Sequence, residues 1–194
     1  MTDTLTPDEE RTAIEDTQKW LLEAVVGLNL CPFAKAVVVK DMVRYQVSLT
    51  SDPEAALASL DAELQYLAAA DPQTLDTTLL ILPHLYPVFL DFNDFLADCD
   101  ALLHERGLQG VLQIADFHPH YQFAGEAPED MSHYTNRAPY PTLHLLRESS
   151  LDQAVASFPD AAEIFERNMA RLRALGPEGW AALGIRSPGG TMTP

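Results

Sequence analysis

The sequence predicts an α/β fold: a mainly parallel sheet of four to five strands with helices packed on it, and a long irregular loop before the last strand. Two short apolar runs, at 77–83 and 110–117, have the length and composition of strands. Stretches with helical periodicity alternate with these runs, an order that favours a parallel sheet covered by helices. The stretch 118–141 has no convincing periodicity, which predicts the loop.

The N-terminal part predicts a helix, a turn and two strands. A capping box at 6–9 places proline at the first helical position, and the apolar stripe behind it runs to about Gly27. The chain then turns through 30–33. The apolar run 36–39 and the alternating segment 43–49 are predicted to form a hairpin or a bent strand pair.

The middle of the chain predicts two helices around the strand at 77–83. The first lies between the proline signals at 52–53 and 71–72, and the second runs from about Pro87 to Gly107.

The C-terminal part predicts the last strand and two more helices. The strand at 142–148 could be antiparallel, since no crossover helix precedes it. Helices are predicted near 151–157 and 160–175, and Gly176 with Pro177 is expected to break the second of them. Residues 1–185 are expected to form a single α/β domain, and 186–194 a flexible C-terminal tail.

The charge balance disfavours several classes of partner. The chain carries 12 lysines and arginines against 29 aspartates and glutamates, a formal net charge of −17. This acidity opposes binding to nucleic acid and to anionic membrane surfaces. No apolar run is long enough to span a bilayer, and the N-terminus lacks a secretory signal, so the expected location is the cytoplasm.

Histidines directly follow two predicted strands. His84 follows the strand at 77–83, and His118 and His120 follow the strand at 110–117. If these strands are parallel neighbours, the imidazoles emerge at one edge of the sheet, where binding sites of α/β proteins gather. The long loop adds further candidates for the same edge: Tyr121, His133, Asn136, Arg137 and Tyr140.

Asp116, His118 and His120 offer carboxylate and imidazole ligands that suit a divalent transition metal. The spacing is weakly specific, because residues two apart on an extended segment need not reach the same ion. The alternative is that His118 caps the strand and His120 faces water. The sequence therefore leaves a metal cofactor open.

Cys31 lies in a turn between a helix and a proline, where a thiol can be exposed. With His118 as base and Asn136 as orienting group, it would complete a Cys-His-Asn set for nucleophilic catalysis. The surrounding residues lack the glycine-rich context of cysteine-protease signatures, and the alternative is a simple buried cysteine.

Arg44, Arg137 and Arg147 are the predicted anchors for a small anionic molecule, because a guanidinium group clamps carboxylate or phosphate with two hydrogen bonds. The alternative for each arginine is a structural ion pair, such as Arg147 with Glu148. His144 lies at alternating spacing in the last strand and is predicted to be a hydrogen-bonded histidine of the core or the sheet face.

Several long segments together resemble the uncharacterised bacterial family called domain of unknown function 1415, over about residues 10 to 185. The segments are WLLEAVVGLNLCPFAKAVV, TTLLILPHLYPVFLDFNDFL, VLQIADFHPHYQFAG and YTNRAPYPTLHLLRE. The family pattern includes the segments that correspond to 31–33, 118–123 and 136–141 of this chain. An aspartate is common in the family at the position of His120, so the resemblance favours His118 as the better ligand. The resemblance implies no established activity.

Two functions remain open from the sequence. The first is a small-molecule enzyme, with or without a metal, whose pocket joins the 118–141 loop, the Cys31 turn and His84. The second is a non-catalytic small-molecule-binding or protein-interaction module. In that case the loop aromatics form a binding surface or the contact of a homo-oligomer.

Overall fold

The computed structural model describes residues 7–157 and 163–186. None of the helices in these ranges is long and apolar enough to cross a membrane. The helices and strands, in chain order, are α1 (Pro7–Trp20), a π-helical segment (Leu21–Val26), α2 (Ala34–Val39), β1 (Val43–Val47), α3 (Pro53–Ala69), β2 (Thr77–Ile81), α4 (Phe89–Glu105), β3 (Leu112–Phe117), a 3₁₀ helix (Met131–Thr135), β4 (Thr142–Arg147), α5 (Glu148–Ser157) and α6 (Ile164–Ala182).

The four strands form a mixed sheet in the order β1-β2-β4-β3. β1 and β2 are parallel, whereas β4 runs antiparallel to both of its neighbours. The α/β class, the number of strands and an antiparallel last strand agree with the sequence. The prediction of a mainly parallel sheet is wrong, because only one of the three strand pairs is parallel.

β2 and β3 are not neighbours, since β4 lies between them. The chain leaves β3 through a long loop without a crossover α-helix, and the strand that follows, β4, runs antiparallel to β3. Thr142, the first residue of β4, consequently pairs with both Ile81 and Phe117, the last residues of β2 and β3. β2 and β3 run in the same direction, so this register brings the loop to the edge of the sheet where both of them end.

The prediction of a strand at 36–39 is also wrong, because these residues belong to helix α2. A short apolar run does not distinguish a strand from a buried helical segment. Here Ala34 and Val38 pack against the core formed by α1 and α6, and the chain turns through Asp41 with a φ of 56° before β1 begins.

Residues that start or end helices predicted the bounds of α3 and α4 correctly to within a few residues. The Asp52 carboxylate caps α3 by accepting from the backbone N–H of Glu54, and α4 ends just before Gly107. Gly176, with a φ of 66°, interrupts α6 as predicted, and the helix resumes after it. The predicted tail beyond Arg186 lies outside the described residues.

The sheet has an apolar layer on each face. Helices α3 and α4 cover one face, against Leu80, Leu143 and Leu145. The π-helical segment and α6 lie on the other side, in a core that includes Trp20, Leu79, Leu172 and Trp180. The His144 side chain belongs to this second face, in register with Leu79 of β2 and Ala115 of β3.

Arg147 is a structural cap of helix α3. Its Nη2 donates to the carbonyls of Leu67 (2.6 Å) and Ala70 (2.8 Å), and its Nε donates to the carbonyl of Leu75 (3.1 Å). The side chain is buried, so these carbonyls depend on it for hydrogen bonds.

We expect the substitution Arg147→Met to lower the free energy of unfolding by about 2 kcal/mol, because buried carbonyls lose their donor. Urea unfolding followed by circular dichroism measures this loss. Arg106→Met is the control, since Arg106 is an exposed arginine paired with Asp61 on the surface. A stability of Arg147→Met equal to that of the control would show that water replaces the guanidinium.

Candidate functional site

The edge of the sheet where β2 and β3 end carries a cleft. His84 follows β2, Pro119 and His120 follow β3, and Tyr140 precedes β4, so three segments meet there. The backbone ties them together: Leu82 donates its N–H to the carbonyl of Pro141 (2.9 Å), and His118 donates its N–H to the carbonyl of Asn136 (3.1 Å).

We call this region the carboxyl-edge cleft. It comprises three adjoining cavities of about 360, 270 and 240 Å³. Arg186 borders all three, His84 and Tyr140 border the first two, and His120 borders the last two. Arg137, Tyr134 and Trp180 line the third cavity. The structure therefore brings His84, His120, Arg137 and Tyr140 of the predicted site together.

One end of the cleft carries acidic side chains that are paired with a histidine, an arginine and a tyrosine of the cleft. His84 Nε2 lies 2.8 Å from Glu9 Oε1, and Arg186 Nη1 lies 3.1 Å from Asp16 Oδ2. The Tyr140 hydroxyl donates to the same Asp16 oxygen at 2.7 Å. Burial and this hydrogen bond raise the pKa of Tyr140 well above its ordinary value, so the phenol stays protonated.

The other end of the cleft holds Arg137. Its Nε donates to the carbonyl of Tyr121 at 3.1 Å, and its guanidinium carbon lies 4.5 Å from the centre of the Tyr134 ring. The Tyr134 ring in turn packs 4.7 Å from Trp180. Within residues 7–157 and 163–186, no carboxylate forms an ion pair with Arg137.

His118 is buried, and both of its ring nitrogens are engaged. Nδ1 accepts the backbone N–H of His120 at 3.0 Å, so Nε2 carries the proton and donates to the carbonyl of Tyr86 at 2.9 Å. Burial lowers the pKa of His118, which keeps the ring neutral. In this arrangement His118 has no free nitrogen for a base or a metal ligand, and it holds the start of the loop in place.

His133 organises the middle of the loop in the same way. Its Nδ1 accepts the backbone N–H of Phe123 at 3.0 Å, and its Nε2 donates to the carbonyl of Ala127 at 2.8 Å. The side chain is fully buried. The Tyr121 ring adds an aromatic contact, 4.8 Å from Phe89 of helix α4. Two buried histidines and a ring stack thus explain how so long a loop becomes ordered.

The predicted metal ligands are not gathered around one position. Both nitrogens of His118 are bonded, His120 is exposed, and the pKa of Asp116 is raised because its carboxyl is partly buried. Among the described residues, no group of three or more histidines, cysteines, aspartates or glutamates is placed to hold a metal ion.

Cys31 lies against a different cavity, which contains neither His118 nor Asn136. This sheet-face cavity lies on the side of the sheet that carries His144. Asn136 is engaged elsewhere: its side-chain amide donates to the carbonyl of Asp116 at 3.4 Å. The structure therefore does not bring the predicted Cys-His-Asn set together.

Arg44 and Arg147 also lie away from the cleft. Arg44 forms a two-point pair with Glu63, Nε to Oε2 at 2.7 Å and Nη2 to Oε1 at 3.1 Å, and covers the Tyr66 ring. This pair raises the pKa of Arg44 and leaves its charge compensated. Of the three predicted anion anchors, Arg137 is the one at the cleft.

Sequence patterns did not identify Arg186 and Trp180 as site residues. Both lie in the C-terminal segment after Gly176, where the sequence indicated only a helix break and a tail. No local signal was available, since their place at the cleft depends on how α6 packs against the 3₁₀ helix of the loop.

The fold and the cleft define a mixed α/β protein with a small-molecule-sized cleft at the carboxyl edge of its sheet. The chain belongs to the family described as Protein of unknown function (DUF1415), whose model matches residues 12–182. Neither the curated proteins nor the solved structures contain a match to the chain.

Proposed function

We propose that the carboxyl-edge cleft binds a small anionic molecule, with Arg137 as the main contact for its negative charge. The observation that carries the proposal is that no carboxylate of the described residues forms an ion pair with Arg137, whose guanidinium borders a cavity of about 240 Å³. Its Nε is fixed by the Tyr121 carbonyl and its face by the Tyr134 ring, so the charge is positioned before a ligand arrives.

The overall charge of the chain makes this unpaired cation informative. With 29 acidic residues against 12 lysines and arginines, a carboxylate partner is readily found. Arg44, Arg106 and Arg173 each have one. Arg137 has none within 7–157 and 163–186, and an arginine of this kind in a concave and partly aromatic site is suited to a carboxylate or phosphate supplied from outside.

The two ends of the cleft set the orientation of the ligand. Asp8 and Glu9 border the far cavity, where a negative group is repelled and hydrogen-bond donors are favoured. Tyr134 and Trp180 offer aromatic surface beside Arg137. The ligand class is therefore a small carboxylate or phosphate with an apolar or planar body and donor groups away from the anion.

A catalytic role, if the bound molecule is transformed, falls to His120 rather than to His118. His120 is exposed and borders the same cavity as Arg137, whereas both nitrogens of His118 are already bonded. His118 positions His120 by accepting its backbone N–H.

The test is calorimetric titration of the full chain with a panel of small mono- and dicarboxylates and phosphate monoesters. We expect at least one of these anions to bind, and the substitution Arg137→Gln to weaken it by ~10- to 100-fold, because a charge-assisted hydrogen bond is lost.

Arg106→Gln is the matched control, since it removes the same charge from an exposed site outside the cleft. It should leave the affinity within about twofold, as expected for a screened surface charge. The proposal is wrong if no anion of the panel binds, or if Arg137→Gln binds as tightly as the control.

A further inference from the structure

The sheet-face cavity, which is separate from the carboxyl-edge cleft, has a volume of about 270 Å³. The π-helical segment, the Cys31 turn and helix α2 form one wall, and Leu151 and Ala154 of α5 form another. Leu79, Ala115 and Phe117 provide the floor on the sheet. A cavity of about 150 Å³ already accommodates benzene in a protein core, so this one is large enough for a bicyclic molecule.

The His144 imidazole lines this apolar space with a nitrogen that has no hydrogen-bond partner among the residues that the structure describes. Thr77 Oγ1 donates its single proton to the carbonyl of Leu145 at 2.6 Å, so the contact of 2.7 Å with His144 requires Nε2 to be the donor. Nδ1 is then a bare acceptor, and no hydrogen bond to it occurs within the described part of the chain.

Trp20 borders the same cavity with an unmatched donor. The ring is 2% exposed, packs edge-on against Phe117 at 5.0 Å, and its indole N–H has no hydrogen-bond partner among the described residues. The indole nitrogen is enclosed by protein, so a molecule in the cavity contacts the Trp20 ring and not its N–H. The polar atom left for such a molecule is Nδ1 of His144, and a hydrogen-bond donor on a bound molecule would satisfy it.

We propose that the sheet-face cavity binds an uncharged, mainly apolar small molecule carrying one hydroxyl group. The hydroxyl donates to Nδ1 of His144, and the apolar body fills the space over Leu79, Ala115 and Phe117.

The remaining polar groups around the cavity support a neutral ligand. Arg147 is already bonded to three carbonyls, and Asp76 Oδ1 accepts the Ser150 hydroxyl at 2.5 Å. The opposite charges of Asp76 and Arg147 leave the lining without a net charge, so a charged ligand would lose its hydration without a net countercharge.

The half-buried Cys31 thiol borders the cavity and provides a reporter of occupancy. The other thiol, Cys99, is fully buried, and burial raises its pKa to about 12, so it stays unreactive in the folded protein. The rate at which a disulfide reagent such as DTNB modifies Cys31 is measured with increasing amounts of two probes of equal shape, 2-naphthol and 2-methylnaphthalene.

We expect 2-naphthol to slow the modification in a saturable manner, and 2-methylnaphthalene to require at least tenfold higher concentration because it cannot donate a hydrogen bond to His144 Nδ1. In His144→Phe the two probes should protect within about threefold of each other. Arg137→Gln should leave the 2-naphthol result unchanged, which separates this cavity from the anion site.

Should His144→Phe fail to fold, two measurements still decide the question: the preference between probes in the unmodified chain, and the loss of protection in Ala154→Phe, which fills the cavity. The proposal is overturned if 2-naphthol gives no saturable protection, if both probes protect the unmodified chain equally, or if protection persists in Ala154→Phe.

Discussion

Replacing His118 by alanine should lower the free energy of unfolding by about 3 to 5 kcal/mol, the largest effect expected of any loop residue. The substitution removes a ring that packs 5.5 Å from Phe89 and 5.3 Å from Phe92, and leaves a cavity beside helix α4. It also removes two hydrogen bonds, so the Tyr86 carbonyl loses its donor and the His120 N–H loses its acceptor. Chemical unfolding followed by tryptophan fluorescence measures the loss.

His118→Phe separates packing from hydrogen bonding, because it keeps a ring and removes both bonds. We expect this variant to lose about 2 kcal/mol or more. His120→Ala, an exposed histidine two residues away, is the control and should unfold close to the parent protein. If His118→Phe is as stable as the parent, the two hydrogen bonds do not hold the loop.

Acidification from pH 6.5 to 4 should destabilise the protein through His144 by up to ~3 kcal/mol. Enclosure by the protein lowers the pKa of His144 to about 4, although part of its surface faces the sheet-face cavity. Below about pH 6.5 the unfolded chain binds a proton at this residue, whereas the folded chain remains neutral. The unfolded state therefore gains stability as the pH falls, and the loss levels off near pH 4, where the folded state is protonated too.

The measurement is the midpoint of urea unfolding as a function of pH for the parent protein and for His144→Gln. Glutamine can donate to Thr77 Oγ1 but does not titrate, so the variant should have a flatter profile between pH 6.5 and 4. Carboxylates and the buried His118 titrate in both proteins, and the difference between the two profiles isolates His144. Parallel profiles over this interval would contradict the account.

Sequence patterns predicted those helices and strands whose first and last residues are typical of helix or strand ends. Helix α3 begins at the Asp52 cap and is followed by Pro72, and the strand predicted at 77–83 contains β2, whose five residues are all buried. These features depend on residues close together in the chain. The pairing of β4 between β2 and β3 depends on long-range contacts, which left no local signature and turned an expected parallel sheet into a mixed one.

The prediction at 36–39 failed for a related reason. Three consecutive valines favour a strand by propensity, but this segment packs as helix α2 against the core around Trp20 and Leu172. Tertiary packing therefore outweighed β propensity here.

The meeting of four candidate residues at one edge of the sheet was predicted, but the hydrogen-bonding roles of the loop histidines were not. That His84, His120, Arg137 and Tyr140 meet follows from strands ending at one edge, which periodicity alone can suggest. Whether a histidine nitrogen is free or bonded to a carbonyl depends on the path of the loop. The sequence offered His118 as a base or metal ligand and His133 as a binding residue, whereas in the structure both are buried and hydrogen-bonded to the backbone of the loop and its neighbours.

The central claim is that Arg137 holds the negative charge of a small ligand in the carboxyl-edge cleft. The most direct test follows the Nε–H resonances of the arginine side chains by ¹H–¹⁵N NMR while the anion that binds best is added. The account predicts that the Arg137 resonance shifts and saturates, and that those of Arg44 and Arg106, which are paired with carboxylates, stay nearly constant. A saturating shift at Arg44 or Arg106, with the Arg137 signal unmoved, would contradict it.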